Sequence, residues 1–94
     1  MKVAERLRAC LEQALQPTRL QIVDESARHR GHAGARPEGE THFQVTVVSA
    51  AFAGRSRLER QRLVHQAAAE LLRGPIHALS IRALTPEEVR ASGG

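Results

Sequence analysis

The chain has 94 residues, 41% of them hydrophobic and 26% charged, which suits one globular domain with a single modest core. Phe43 and Phe52 are its only aromatics apart from histidine, which argues against recognition of single strands by stacking bases on aromatic rings. The formal net charge of +4 is almost wholly arginine, and the lone Cys10 excludes an internal disulfide or a multi-cysteine metal motif within the chain.

In chain order, Val3, Leu7, Cys10, Leu11 and Ala14 make one apolar stripe, which predicts a helix from Met1 to Leu15 that ends at Pro17. Cys10 lies in that stripe and is expected to be a packed, inert thiol. Arg19 to Glu25 alternates, with Leu20 and Ile22 on one face and Arg19, Gln21 and Val23 on the other, as a strand does. A segment from about 26 to 40 follows. It is rich in Gly and Arg, carries His29 and His32, and is punctuated by Gly31, Gly34, Pro37 and Gly39. A connection of this length in so small a domain is usually functional or disordered.

His42 to Ser49 is the clearest strand, with Phe43, Val45 and Val47 on one face and Gln44, Thr46 and Val48 on the other. Ser56-Arg57-Leu58-Glu59 has the spacing of a capping box and opens the main helix. Leu63, Val64, Ala67, Ala68, Leu71 and Leu72 form the buried face of that helix, and Gly74-Pro75 stops it. Ile76 to Leu84 reads as a third strand, with His77, Leu79, Ile81 and Ala83 on one face. Thr85-Pro86-Glu87-Glu88 starts a short last helix, and the tail at 92–94 is expected to fray. The order α-β-β-α-β-α predicts a single α+β domain over residues 1–94. A hairpin and a helical crossover give it a small three-stranded mixed sheet with helices on one face.

The same sequence narrows the function. No apolar run of signal-peptide type opens it and no stretch approaches membrane-spanning length, so a reducing, cytoplasmic setting without membrane contact is expected. Ser26, Ser49 and Ser80 sit in no nucleophile-elbow pattern, and Asp24 and Glu25 are adjacent, so on a strand they point to opposite faces. Phosphate-binding or dinucleotide fingerprints are absent. The chain is therefore not expected to be an enzyme. Its distinctive groups are histidines, because neutral imidazole is the commonest protein metal ligand. His65 lies inside the main helix and reads as a partly exposed helix residue, and His42 opens a strand in a structural or supporting place. His29, His32 and His77 remain as candidate metal ligands.

Asp24-Glu25-Ser26, the histidine loop, Gly39-Glu40-Thr41-His42-Phe43 with its Val-rich strand, Phe52-x-Gly54, Arg60-x-Arg62-Leu63-Val64 and Pro75-Ile76-His77-Ala78-Leu79-Ser80-Ile81 together resemble the BolA family. The resemblance runs roughly from Val3 to Glu88. It implies a fold like a type II KH domain and association with a monothiol (CGFS-type) glutaredoxin around a shared [2Fe–2S] cluster. On that resemblance His77 takes the place of the family's C-terminal ligand, and His29 or His32 takes that of its loop ligand, in a histidine-loop subtype. The remaining ligands would be the glutaredoxin cysteine and glutathione contributed through it. Histidine ligation of one iron is known from Rieske-type centres.

Three functions follow as expectations. The first is a non-enzymatic glutaredoxin partner in iron–sulfur trafficking or in iron and redox regulation, monomeric or weakly dimeric alone. The second is a KH-like nucleic-acid-binding transcriptional regulator, with DNA contacts from Arg55, Arg57, Arg60 and Arg62. The Gly-x-x-Gly clamp typical of KH domains is absent, since Gly54-Arg55-Ser56-Arg57 keeps only its first glycine. The third is a plain zinc site using His29, His32 and His77.

Overall fold

The computed structural model describes residues 2–25 and 41–92. Helix α1 spans Val3–Leu15, strand β1 Arg19–Asp24 and strand β2 His42–Val48, and a 3-10 turn covers Ala50–Phe52. Helices α2 (Arg57–Ala67) and α3 (Ala69–Arg73) come next, then strand β3 (Ala78–Leu84) and helix α4 (Pro86–Ala91). The sheet runs β1-β2-β3, antiparallel between β1 and β2 and parallel between β2 and β3. This is the small α+β architecture with a mixed three-stranded sheet that the sequence predicts.

The alternation in the strands decides which face is buried. Phe43, Val45 and Val47 of β2 are buried, and Leu20, Ile22, Leu79, Ile81 and Ala83 of the flanking strands pack against the same cluster. Leu7, Leu11 and Leu15 from α1 and Val64, Ala68 and Leu71 from the α2–α3 segment close the core from the other side, with Phe52 wedged in from the 3-10 turn. Cys10 is half-buried against this cluster, the packed thiol expected.

Four details depart from the sequence reading. Ala14 is exposed, and Leu15 carries the last core position of α1, at four-residue steps from Leu7 and Leu11. Gln16 then takes the left-handed conformation (φ 46°) and its N–H donates to Glu12 O at 3.0 Å, so the helix has ended before Pro17. The main helix is interrupted at Ala68, whose φ of −103° and ψ of 14° split it into α2 and α3. Ile76 is not a strand residue. Its N–H donates back to Leu71 O (2.9 Å), which folds it beneath α3 as a buried core residue, and β3 begins two positions later.

Both anticipated helix starts are present. Ser56 Oγ accepts from Glu59 N–H (3.1 Å) while Glu59 Oε1 accepts from Ser56 N–H (2.8 Å). Thr85 and Glu88 repeat the arrangement at the start of α4, at 3.1 and 2.8 Å, with Pro86 at the first helical position. Gly54 (φ +73°) turns the chain between the 3-10 turn and the first of these boxes, a conformation in which a side chain would be strained.

Candidate functional site

Parallel pairing of β2 with β3 sets His42 opposite Ala78, so both strands start at one corner of the sheet. The residue before β3 is His77. Its N–H donates to Thr41 O (2.8 Å), and Ala78 N–H shares the same carbonyl (3.2 Å). These bonds fix the backbone under His77, while its side chain stays exposed. Beside it lies His42, half-buried, the two rings stacked with centroids 6.2 Å apart and planes 20° from parallel. Thr41 is fully buried, and its Oγ1 lies 2.8 Å from His42 Nδ1, which orients that imidazole.

The same corner anchors the histidine-bearing segment. Glu25 N–H donates to His42 O (2.7 Å), so the chain leaves the sheet beside β2 at Glu25 and rejoins it at Thr41. His29 and His32 themselves lie outside the described residues. Among the described residues no three His, Cys, Asp or Glu side chains converge as a metal site. A ligand set larger than the imidazoles of this corner therefore draws on residues 26–40 or on another molecule. As a donor, an exposed imidazole suits zinc or iron and fits the nitrogen position of a Rieske-like cluster. His65 is elsewhere, exposed on α2 with Nδ1 2.9 Å from Gln61 O, the helix-surface role expected.

The arginines divide. Arg55, Arg57 and Arg60 line an open groove of about 640 Å³ along the free side of β3, whereas Arg62 is exposed on α2 and does not line it. Of the four arginines named for DNA contact, three therefore share this groove, because one helical step from Gln61 turns Arg62 to another face. Arg60 is mostly committed to the fold. Its Nε donates to Arg55 O (3.1 Å), its Nη1 to Ala83 O (3.2 Å), and its two terminal nitrogens grip Glu88 at 2.7 and 3.1 Å. The Arg60 guanidinium, helped by the Thr85 N–H, pushes the Glu88 carboxyl down to about 2. Arg82 joins the groove from β3 and was not singled out in the sequence. Strand parity was the available signal, since Arg82 alternates with the core-facing Ile81 and Ala83. Thr41 was also missed as the group that orients His42.

Comparison with known proteins agrees with this architecture. The family model described as "BolA-like protein" matches residues 11–88. "BolA-like protein 1" of Mus musculus is 51% identical over 88 residues, covering 94% of this chain and 61% of that protein. The chain thus spans about three fifths of the length of such BolA-like protein 1 relatives. The "DNA-binding transcriptional regulator BolA" of Escherichia coli strain K12 is 40% identical over 88 residues, covering 94% of this chain and 80% of that protein. Among solved structures, the BolA domain of SufE1 from Arabidopsis thaliana superposes with a TM-score of 0.81 at 44% identity, covering 90% of this chain and 93% of that one. A match of this breadth, which takes in both strands of the His42–His77 corner, establishes that the chain belongs to the BolA family.

Proposed function

We propose that this chain is a non-enzymatic partner of a monothiol glutaredoxin and supplies nitrogen ligands to a shared [2Fe–2S] cluster, in iron–sulfur trafficking or iron and redox regulation. The observation that carries the reading is the exposed His77 on a rigid strand start, beside the point where the 26–40 segment leaves and rejoins the sheet. His77 is one ligand and His29 or His32 the other. Four residues of chain reach at most about 14 Å, so His29 is tethered within that distance of Glu25. The glutaredoxin cysteine and glutathione supply the thiolates.

The division of labour follows from donor chemistry. Imidazole is a neutral ligand that binds metal only when deprotonated, so protons compete with the cluster for it. Buried Thr41 holds the backbone under His77, and the partner brings the sulfur that this corner lacks. A cytoplasmic setting, where thiols stay reduced, suits such an exchange. The test is to reconstitute the cluster with glutaredoxin and glutathione and to follow visible absorption and circular dichroism. His77→Ala changes the spectrum if the assignment is right; an unchanged spectrum removes His77 from the ligand set.

A second reading, contact with nucleic-acid phosphates, is favoured by the arginine groove and by the name of the E. coli relative. Its signature is an affinity that falls steeply with salt, and equal affinity for a promoter and a random duplex removes the sequence-specific version.

A further inference from the structure

The arginine groove lies at the far end of β3 from the histidine corner. The six-residue step from His77 to Ala83 spans about 20 Å along the strand. Because β3 is an edge strand, its outward carbonyls need partners, and side chains of α2 provide them. Gln61 Nε2 donates to Ile81 O (3.2 Å) and Arg60 Nη1 to Ala83 O (3.2 Å). These bonds blunt the edge against strand pairing, so the groove offers side-chain donors to a visitor.

One carboxylate already occupies the groove. Glu88 sits on Arg60 in the two-point geometry that suits guanidinium and carboxylate. Around this pair stand Arg55, Arg57 and Arg82, all exposed, and among the described residues no acid pairs with Arg57 or Arg82. The local charge is therefore strongly positive, with Glu88 the only acid on the groove wall among the described residues.

We propose that this groove docks an acidic, extended segment of a partner protein, with its carboxylates on Arg57, Arg82 and Arg55 beside the resident Glu88–Arg60 pair. Single-stranded nucleic acid fits less well. Phe43 and Phe52 are 1% and 0% exposed, and with no Tyr or Trp in the chain no ring of that kind is left for a base to stack on. The site lies apart from the histidine corner, and no histidine is among its described lining residues.

Fluorescence anisotropy on the metal-free chain tests the proposal, using a labelled peptide of Asp and Glu spaced by Gly. Labelled single-stranded and duplex oligonucleotides of matching charge form the other arms. The double variant R57E/R82E weakens peptide binding by about tenfold or more, as loss and reversal of two charge contacts requires. Glu88→Gln strengthens it, because it frees Arg60 while Gln still accepts the Thr85 N–H bond of the capping box. Far-ultraviolet circular dichroism confirms that both variants are folded. Peptide binding indifferent to R57E/R82E, or weakened by Glu88→Gln, overturns the proposal. Tighter binding of either oligonucleotide at equal ionic strength, with the same sensitivity to R57E/R82E, also overturns it and assigns the groove to nucleic acid.

Discussion

Ser49→Ala probes how the helical layer is fastened to the sheet. Ser49 is 1% exposed, and its Oγ donates to Leu15 O at 2.6 Å, joining the end of α1 to the end of β2. The same oxygen accepts from Ala51 N–H (3.1 Å) and starts the 3-10 turn that carries Phe52 into the core. Removing the hydroxyl strands the Leu15 carbonyl in a buried place, which costs about 1–3 kcal/mol. Ala51 is exposed, so water replaces its lost bond and that part costs about 1 kcal/mol or less. A total loss of about 1–4 kcal/mol follows, equivalent to a fall in melting temperature of about 4–32 °C for a domain of this size. Urea denaturation should show it as a lower midpoint with an unchanged slope. Ser92→Ala is the control: Ser92 Oγ donates to Val89 O (3.0 Å) in an exposed place, and its removal should stay within about 0.5 kcal/mol. A Ser49→Ala loss no larger than that of the control would refute the reasoning.

Two other perturbations test the fold's remaining fastenings. Phe52→Ala, at a 0% exposed position, should cost about 3–5 kcal/mol by equilibrium denaturation, a large share of the roughly 5–14 kcal/mol expected for a domain of this length. The Glu88 carboxyl, held down to about 2 by Arg60 and Thr85, has a lower folded than unfolded value. Its contribution is therefore fully present above the ordinary carboxylate range and is lost as pH falls from that range through about 2. Glu88→Gln should flatten the acid limb of a melting-temperature profile between those limits, and an acid limb identical to that of the unmodified chain would contradict this.

How far the fold could be read in advance depended on which interactions are local. The alternation in His42–Val48 and the capping-box spacings of Ser56–Glu59 and Thr85–Glu88 are short-range signals, and each element appears where they place it. The break at Ala68 has no such signal. Ala68 N–H still donates to Val64 O and Leu72 N–H to Ala68 O, both at 3.0 Å, so the apolar stripe runs through the irregularity unchanged. Ile76 was misplaced because a β-branched residue after Gly74-Pro75 suits a strand equally well, and only the bond to Leu71 O decides for the turn. At the candidate site, residue types gave His77, but its nearness to His42 and Thr41 rests on the parallel register of two strands some thirty-five positions apart. The groove shows the same limit. Arg55, Arg57 and Arg60 are visible as a local run, whereas Arg82 joins them only through strand pairing and the packing of α2.

Pulsed electron paramagnetic resonance of the reduced, co-reconstituted cluster tests the central claim most directly. With this chain carrying nitrogen-15 histidine and the glutaredoxin unlabelled, ligation predicts strong nitrogen-15 hyperfine coupling to the cluster spin, diminished in His77→Ala. A cluster that forms on the mixed proteins and shows no such coupling would contradict the account.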